Sequence, residues 1–119
     1  MTQDRDYARL RHMIDFSSRA VDLSERRHRE DLDTDEVLAL ALLRLAELLG
    51  EAARNVSPAL RARHPEIPWT SIVGTRDRLA HGYMKVNYEV MWEIIVGDLP
   101  SLIARLETLI EDDFEDARP

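Results

Sequence analysis

The chain has 119 residues, with 23 acidic against 16 basic side chains and a formal net charge of −7, and this length fits one domain over residues 1–119. The acidic balance disfavours long-range attraction to nucleic acid or to an anionic membrane, but it is compatible with a local basic site. The absence of cysteine excludes disulfides and thiolate metal sites. No apolar run reaches the roughly 20 residues of a membrane span, and the charged N-terminus has no apolar signal core. We therefore expect a cytoplasmic protein without a membrane segment.

The first predicted helix begins near Asp4 and runs to about Arg27. Its apolar side chains recur along one face at helical spacing, namely Tyr7, Leu10, Ile14 and Val21. Leu23 falls outside this stripe. The following residues, 26–33, read RRHREDLD and predict a polar connection.

Asp33 or Thr34 is the expected N-cap of the second helix, and with Asp33 as the cap Glu36 completes a capping box. The run 37–49 is apolar on a wide stripe, so this helix is buried on more than one side or also lines a dimer interface. We expect it to reach about residue 56.

Gly50 lies inside this helix and permits close packing of a neighbouring helix. The pair Ser57 and Pro58 predicts a short helix with serine at the N-cap and proline at the first position. Because residues before proline avoid the helical region, we expect an extended linker between Pro65 and Pro68.

The next predicted helix covers about Trp69 to Ala80 and ends at the pair 81–82, His-Gly. Asn87 is the expected N-cap of the last helix, which Pro100 interrupts near residue 97. The acidic C-terminal residues are expected to fray. These elements predict an all-α, antiparallel up-and-down bundle of four main helices plus a short one.

The most concentrated polar chemistry lies between Arg76 and Tyr83. A guanidinium holds a phosphate through two parallel hydrogen bonds, and the imidazole of His81 transfers protons near neutral pH. Together they form a minimal set for metal-free cleavage of RNA, provided that the helix ends at His81 and lets the two side chains converge. This arrangement requires that the chain reverse direction just past Ala80. Spacing alone favours a structural explanation, in which Arg76 pairs with an acid such as Asp77 and His81 caps helix carbonyls.

A family resemblance changes this balance. Arg76, Asp77, His81 and Tyr83 match the pattern of arginine, a polar residue, variable residues, histidine, any residue and tyrosine. The flanking segments 49–53, 67–74 and 86–100 match as well, so the chain resembles the HEPN domains of the HepT-like toxin group over nearly its whole length. Two positions depart from the commonest pattern, since Asp77 replaces asparagine and Asn87 replaces aspartate.

The resemblance implies an RNA-cleaving toxin that acts as a homodimer, with two motif helices facing each other across a cleft. It implies catalytic roles for Arg76 and His81, with Asp77 and Arg78 supporting them and with no metal or other cofactor. It also implies an antitoxin partner, a minimal nucleotidyltransferase that transfers AMP from ATP onto Tyr83. Such a modification would place bulk and negative charge beside the Arg–His pair.

Other readings of the sequence remain open. A non-catalytic helical dimer that binds a nucleotidyltransferase, a nucleotide or RNA is the alternative function, and the net charge of −7 motivates it. His12, His28 and His64 have no metal-binding spacing and are expected on the surface. The carboxylates of residues 111–115 are expected in a solvated tail.

Overall fold

The computed structural model describes residues 2–80 and 85–114. Within them lie the helices α1 (Thr2–Ser24), α2 (Asp31–Thr34), α3 (Glu36–Arg54), α4 (Pro58–Arg63), α5 (Trp69–Val73), α6 (Thr75–Leu79) and α7 (Tyr88–Glu93), a π-helical segment (Ile94–Asp98) and α8 (Leu99–Asp113). One isolated antiparallel bridge joins Ala80 and Val86, and these ranges contain no strand. The predicted all-α class is confirmed.

α3 and α8 both run antiparallel to α1. Asp6, near the start of α1, accepts hydrogen bonds from the backbone N–H and the hydroxyl of Ser57 at 2.8 and 2.6 Å. Because Ser57 follows α3, the start of α1 lies beside the end of α3. The rings of Tyr7 and Phe114 lie 5.6 Å apart, which places the start of α1 beside the end of α8.

α1 ends at Ser24, before the predicted end at Arg27. The Ser24 hydroxyl donates to the carbonyl of Val21 at 2.8 Å, and Arg26 takes a positive φ of 61°, which is incompatible with a continuing helix. Leu23, outside the apolar stripe, has 43% of its side-chain surface exposed, as the periodicity predicts.

The N-cap of α3 is Asp35, so the prediction of Asp33 or Thr34 with a capping box was wrong. Residues 31–34 instead form a separate helical turn, α2. The Asp35 carboxylate accepts from the backbone N–H of Leu38 at 3.0 Å. That hydrogen bond and the pairing with Arg27 lower the pKa of Asp35.

α3 is buried along one side and carries exposed apolar side chains on another. One side contributes to the core through Leu38, Ala39, Leu42, Ala46, Leu49, Ala52 and Ala53, all buried. On another side Val37 and Leu40 are exposed by 79% and 56%. Gly50 is buried against α5, and a Cβ there would meet the carbonyl of Ile72 at 3.1 Å, so the predicted close approach is confirmed.

Ser57 caps α4 as predicted, since its hydroxyl accepts from the N–H of Leu60 at 3.3 Å. The expected extended linker is a turn instead, and the N–H of Ile67 donates to the carbonyl of His64 at 3.2 Å. Pro65 occupies the second position of this turn, which its fixed φ favours. Ile67 is thereby carried into the core, where it is 2% exposed.

The predicted helix from Trp69 to Ala80 is divided into α5 and α6 at Gly74. The Thr75 hydroxyl donates to the carbonyl of Ile72 at 2.7 Å, and this is the carbonyl that Arg76 would use in a continuous helix. The side chain of Thr75 thus competes with the helix ladder, and the break sets the direction of α6.

Asn87 caps α7 as predicted, through a hydrogen bond from the N–H of Val90 at 3.2 Å. The disturbance predicted from Pro100 is the π-helical segment, which contains Gly97. Proline lacks the N–H that would bond the carbonyl four residues earlier and its ring collides with that carbonyl. One wider turn accommodates both effects, and α8 then continues to Asp113.

Candidate active site

Two buried side chains hold α6 against the core. Thr75 and Leu79 are 3% and 2% exposed, and they lie four residues apart on one face of the helix. Arg76, Asp77 and Arg78 lie between these two residues in the sequence, and all three are exposed. The sequence therefore places three charged groups on the outer surface of a short, anchored helix.

The chain reverses direction immediately after α6. The helix ends at Leu79, and Ala80 takes an extended conformation with φ −64° and ψ 133°. Ala80 forms the antiparallel bridge with Val86, and the N–H of Asn87 donates to the carbonyl of Leu79 at 2.7 Å. The reversal predicted past Ala80 is confirmed, although the helix ends before the predicted position.

His81 and Tyr83 lie outside the described residues, as does Gly82. The proposed convergence of Arg76 with His81 therefore stays a prediction. What the described residues establish is that the two ends of segment 81–84 meet at one place, beside the C-terminal end of α6.

A cleft of about 390 Å³ lies at this place and is here called the motif cleft. The described residues that line it are Leu43, Glu47, Arg76, Leu79, Ala80, Lys85 and Val86. The bridge brings Lys85 beside the end of α6, so this described lining combines two cationic side chains with one carboxylate and apolar residues. An anion that enters it meets a guanidinium and an ammonium together.

The charges on α6 do not neutralise one another within the described part of the chain. Arg76 and Asp77 make no side-chain ion pair with any residue of 4–80 or 85–114, and Arg78 pairs with Asp98 across a separation of 3.9 Å. The structural explanation in which Asp77 pairs with an arginine on α6 is thus not seen among these residues. Arg76 is exposed and lines the motif cleft, so its N–H donors are not occupied by a carboxylate of these residues.

The histidines outside the motif differ from one another. His12 and His28 are exposed, as expected. His64 is not a plain surface residue, because its Nε2 lies 2.8 Å from the Asp113 carboxylate and its Nδ1 lies 3.1 Å from Glu66. The expectation of a frayed tail was wrong up to Phe114, since α8 continues to Asp113 and Phe114 is buried. Glu111 and Asp112 are exposed to solvent, as expected.

Contacts of His64 and Arg63 with Asp113 hold the chain before α5 against the end of α8. Burial by itself lowers the pKa of His64, but the hydrogen bonds and charges of Asp113 and Glu66 outweigh it and raise that pKa. Burial likewise opposes ionisation of Asp113, and His64 together with Arg63 overcomes it and lowers the pKa of this carboxyl. The cluster therefore favours an imidazolium between carboxylates.

In 2–80 and 85–114 no three His, Asp or Glu side chains gather in a way that would hold a metal ion. None of the helices described is both long and apolar enough to cross a membrane.

Two cleft residues were missed by reasoning from sequence. Lys85 is the only lysine in the chain, and its position two residues after Tyr83 was the available signal. Glu47 lies in the strongly apolar run of α3, and nothing in the sequence links it to a site nearly 30 residues later. Only the packing of α6 beside α3 brings Glu47 to the cleft.

The sequence is similar to proteins that are named as ribonucleases. The family described as ribonuclease HepT-like matches residues 8–109. A protein of Caldanaerobacter subterraneus named "Putative RNase" is 38% identical over 82 residues, which covers 69% of this chain and 73% of the relative. The "Probable ribonuclease HepT" of Thermococcus cleftensis is 38% identical over 80 residues, or 67% and 73% of the two chains.

A protein of Methanocaldococcus jannaschii, also named "Putative RNase", is 30% identical over 103 residues, covering 87% of this chain and 79% of the relative. No solved structure matches the chain. The matched region contains every described element from within α1 to within α8. The chain therefore belongs to the ribonuclease HepT-like family.

Proposed function

We propose that the protein is a metal-independent endoribonuclease in which Arg76 and His81 are the catalytic residues. The observation that carries this proposal is the position of Arg76, which lines the motif cleft beside Lys85 and has no ion-pair partner among the described residues. The family and the ribonuclease names of its relatives support RNA as the substrate. Asp77 and Arg78, the neighbouring polar residues of α6, are the supporting residues in this proposal.

The proposed reaction needs one proton-transferring group and one fixed cation. The ribose 2′-oxygen attacks the adjacent phosphorus and loses its proton to the imidazole of His81, while the bond from phosphorus to the 5′-oxygen breaks. The leaving oxygen takes a proton from an imidazolium, and the products are a 2′,3′-cyclic phosphate and a 5′-hydroxyl. Arg76 stabilises the charge that develops on the phosphoryl oxygens.

Replacement of the histidine tests this assignment. RNA incubated with the wild-type protein in EDTA should be cleaved to fragments with cyclic-phosphate ends. The His81→Ala protein should have the wild-type circular dichroism spectrum, and its rate of RNA cleavage should be lower by about 100-fold or more. His12→Ala is the matched control, since His12 is exposed on α1. Undiminished cleavage by His81→Ala would reject the role of His81.

The active form is proposed to be a homodimer that uses the outer face of α3. Val37 and Leu40 are exposed there, and Leu43, one turn further along the same face, lines the motif cleft. Contact between two copies through this face would cover the exposed side chains and bring two motif clefts together.

Size-exclusion chromatography with light scattering tests the interface. The Leu40→Asp protein should elute as a folded monomer and lose RNA cleavage. Leu23→Asp, on the exposed part of α1, should stay dimeric and active. A wild-type protein that cleaves RNA as a monomer contradicts this part of the proposal.

Regulation is proposed to occur in the cytoplasm through an antitoxin, a minimal nucleotidyltransferase that transfers AMP onto Tyr83. The added phosphate would repel an RNA phosphate at the same cleft. Co-expression with such a partner should add AMP units to the peptide that contains Tyr83 and abolish cleavage. Tyr83→Phe should prevent the modification, whereas Tyr88→Phe should leave it intact. A Tyr83 peptide that stays unmodified with active partner and ATP argues against this regulation.

A non-catalytic binding module is the second candidate, and the acidic net charge of −7 favours it. Expression of the chain alone distinguishes the two. Growth arrest that His81→Ala abolishes supports the ribonuclease. Harmless expression, together with tight binding of the nucleotidyltransferase and no cleavage of RNA, supports the module.

A further inference from the structure

A second cavity, of about 260 Å³, lies on the other flank of α6. It lies between the helices α5 and α6 on one side and the π-helical segment with α8 on the other, and it is here called the π cavity. Its apolar floor is formed by Leu49, Ile72, Ile94, Leu99 and Leu102, each exposed by no more than 6%. The cavity is close in size to the smaller ligand pockets of proteins, which begin at about 300 Å³.

The rim of the π cavity is polar and carries two guanidinium groups. Arg78 and Arg105 line it, together with Asp98 and the hydroxyl-bearing Ser71 and Ser101. One carboxylate against two arginines leaves a local positive excess on a protein whose net charge is −7. This rim favours an anionic group, and the floor favours an apolar group attached to it.

Each of the two arginines contacts a neighbouring group of the protein. Arg105 donates through Nη1 to the carbonyl of Glu66 at 2.9 Å, and Nη2 of Arg78 lies 3.9 Å from the Asp98 carboxylate. Each contact uses part of a guanidinium that has five N–H donors. The remaining donors of each guanidinium are left for an anion in the cavity.

The helix geometry connects the π cavity with the motif cleft. Arg76 and Arg78 are separated by two residues, about 200° around α6, and they line the motif cleft and the π cavity respectively. The π-helical segment that Pro100 imposes supplies Ile94 and Asp98 to the cavity wall. Segments of this kind occur frequently at functional sites.

We propose that the π cavity binds one nucleotide, with the phosphate between Arg78 and Arg105 and the base on the apolar floor. A nucleotide carries both features that the cavity selects, an anionic phosphate and a flat, weakly polar ring. The nucleotide comes from the RNA strand that crosses α6 from the motif cleft, or it is a free nucleoside monophosphate. The first source rests on the proposed ribonuclease function, and the second does not.

Binding to the wild-type protein tests the proposal without cleavage. The probes are AMP, UMP and a short RNA whose 2′-oxygens are methylated, which removes the nucleophile. Amide resonances of Ile72, Ser101 and Leu102 should shift on titration. Arg105→Ala should weaken binding about tenfold, the loss expected for a charged hydrogen bond. Ser101→Trp, which fills the mouth of the cavity, should weaken it without removing a charge.

Arg19→Ala is the matched control, because Arg19 is an exposed arginine of α1 that pairs with Asp15, and it should bind all probes as the wild type does. Weaker binding of mononucleotides and RNA by both cavity variants supports a general nucleotide site, and weaker binding of RNA alone supports an RNA subsite. Mononucleotide binding that Arg105→Ala weakens supports the cavity even if the wild-type protein cleaves no RNA. Absence of shifts at the cavity, with unchanged affinity in both variants, overturns the proposal.

Discussion

Lys85 and Glu47 carry opposite charges in the motif cleft, and their replacement should have opposite effects on RNA binding. Lys85 and Glu47 line the cleft together with Arg76, so an RNA phosphate bound by Arg76 lies within range of both. Lys85 is exposed, and solvent reduces the effect of such a charge to about a two- to fivefold change in affinity. Lys85→Ala should weaken RNA binding by this factor, and Glu47→Gln should strengthen it by a similar one.

Fluorescence anisotropy with 2′-O-methylated RNA measures both effects over a series of salt concentrations. Loss of one phosphate contact reduces the slope of log affinity against log salt by about 0.7 for a single strand, so Lys85→Ala should have the shallower slope. Arg19→Ala, which removes an exposed cation from α1, controls for net charge. Equal affinity of Lys85→Ala and the wild type, or weaker binding by Glu47→Gln, would refute this account of the cleft.

Three further predictions concern stability and charge. The pKa of His64 is raised above its ordinary 6.5, so its contribution to stability is present below pH 6.5 and is lost as the pH rises through the pKa of the folded state. The pKa of Asp113 is lowered from 3.8, so its contribution is lost as the pH falls. His64→Gln should therefore lower the Tm by about 1–3 °C near pH 5.5 and by less near pH 9 in thermal denaturation; an equal loss at both would contradict the pairing. Gly50→Ala places a Cβ 3.1 Å from the carbonyl of Ile72 and should lower the free energy of unfolding, measured by urea denaturation, by about 1 kcal/mol. An unchanged denaturation midpoint would contradict this close contact and show that α5 moves to make room for the Cβ. Asp77→Asn removes an exposed negative charge beside Arg76 and should raise RNA affinity up to about threefold, while weaker binding would show that Asp77 supports the site through its charge.

Local signals predicted much of the fold. The N-caps at Ser57 and Asn87 and the disturbance from Pro100 each depend on a few neighbouring residues, and each is found where it was expected. Helical periodicity likewise separated the buried stripe of α1 from Leu23. Such features follow from backbone hydrogen bonding within one or two turns, which the sequence contains in full.

The errors arose where one local preference competed with another. Three aspartates between residues 31 and 35 were each able to cap a helix, and the choice of Asp35 depends on the separate turn α2 and on Arg27. The break at Gly74 depends on the hydroxyl of Thr75 and on packing against Gly50. A further error had a different cause, because the pairing of His64 with Asp113 joins residues 49 positions apart. Periodicity within a single helix contains no information on such contacts.

The candidate site was predicted in part. The motif located the charged residues of α6 and the reversal after Ala80, because both follow from the local sequence. The cleft walls depend on how α6 packs beside α3, which brings Glu47 to Arg76. The roles of His81 and Tyr83, which lie outside the described residues, remain predictions.

The most direct test of the account is the rate of RNA cleavage in EDTA by the Arg76→Ala protein. The wild type should produce fragments with 2′,3′-cyclic phosphate ends, and the variant should cleave about 100-fold more slowly with an unchanged circular dichroism spectrum, because a cation aimed at the developing charge is lost. Arg19→Ala should cleave at the wild-type rate. An Arg76→Ala protein that cleaves RNA as fast as the wild type would contradict the proposed ribonuclease site.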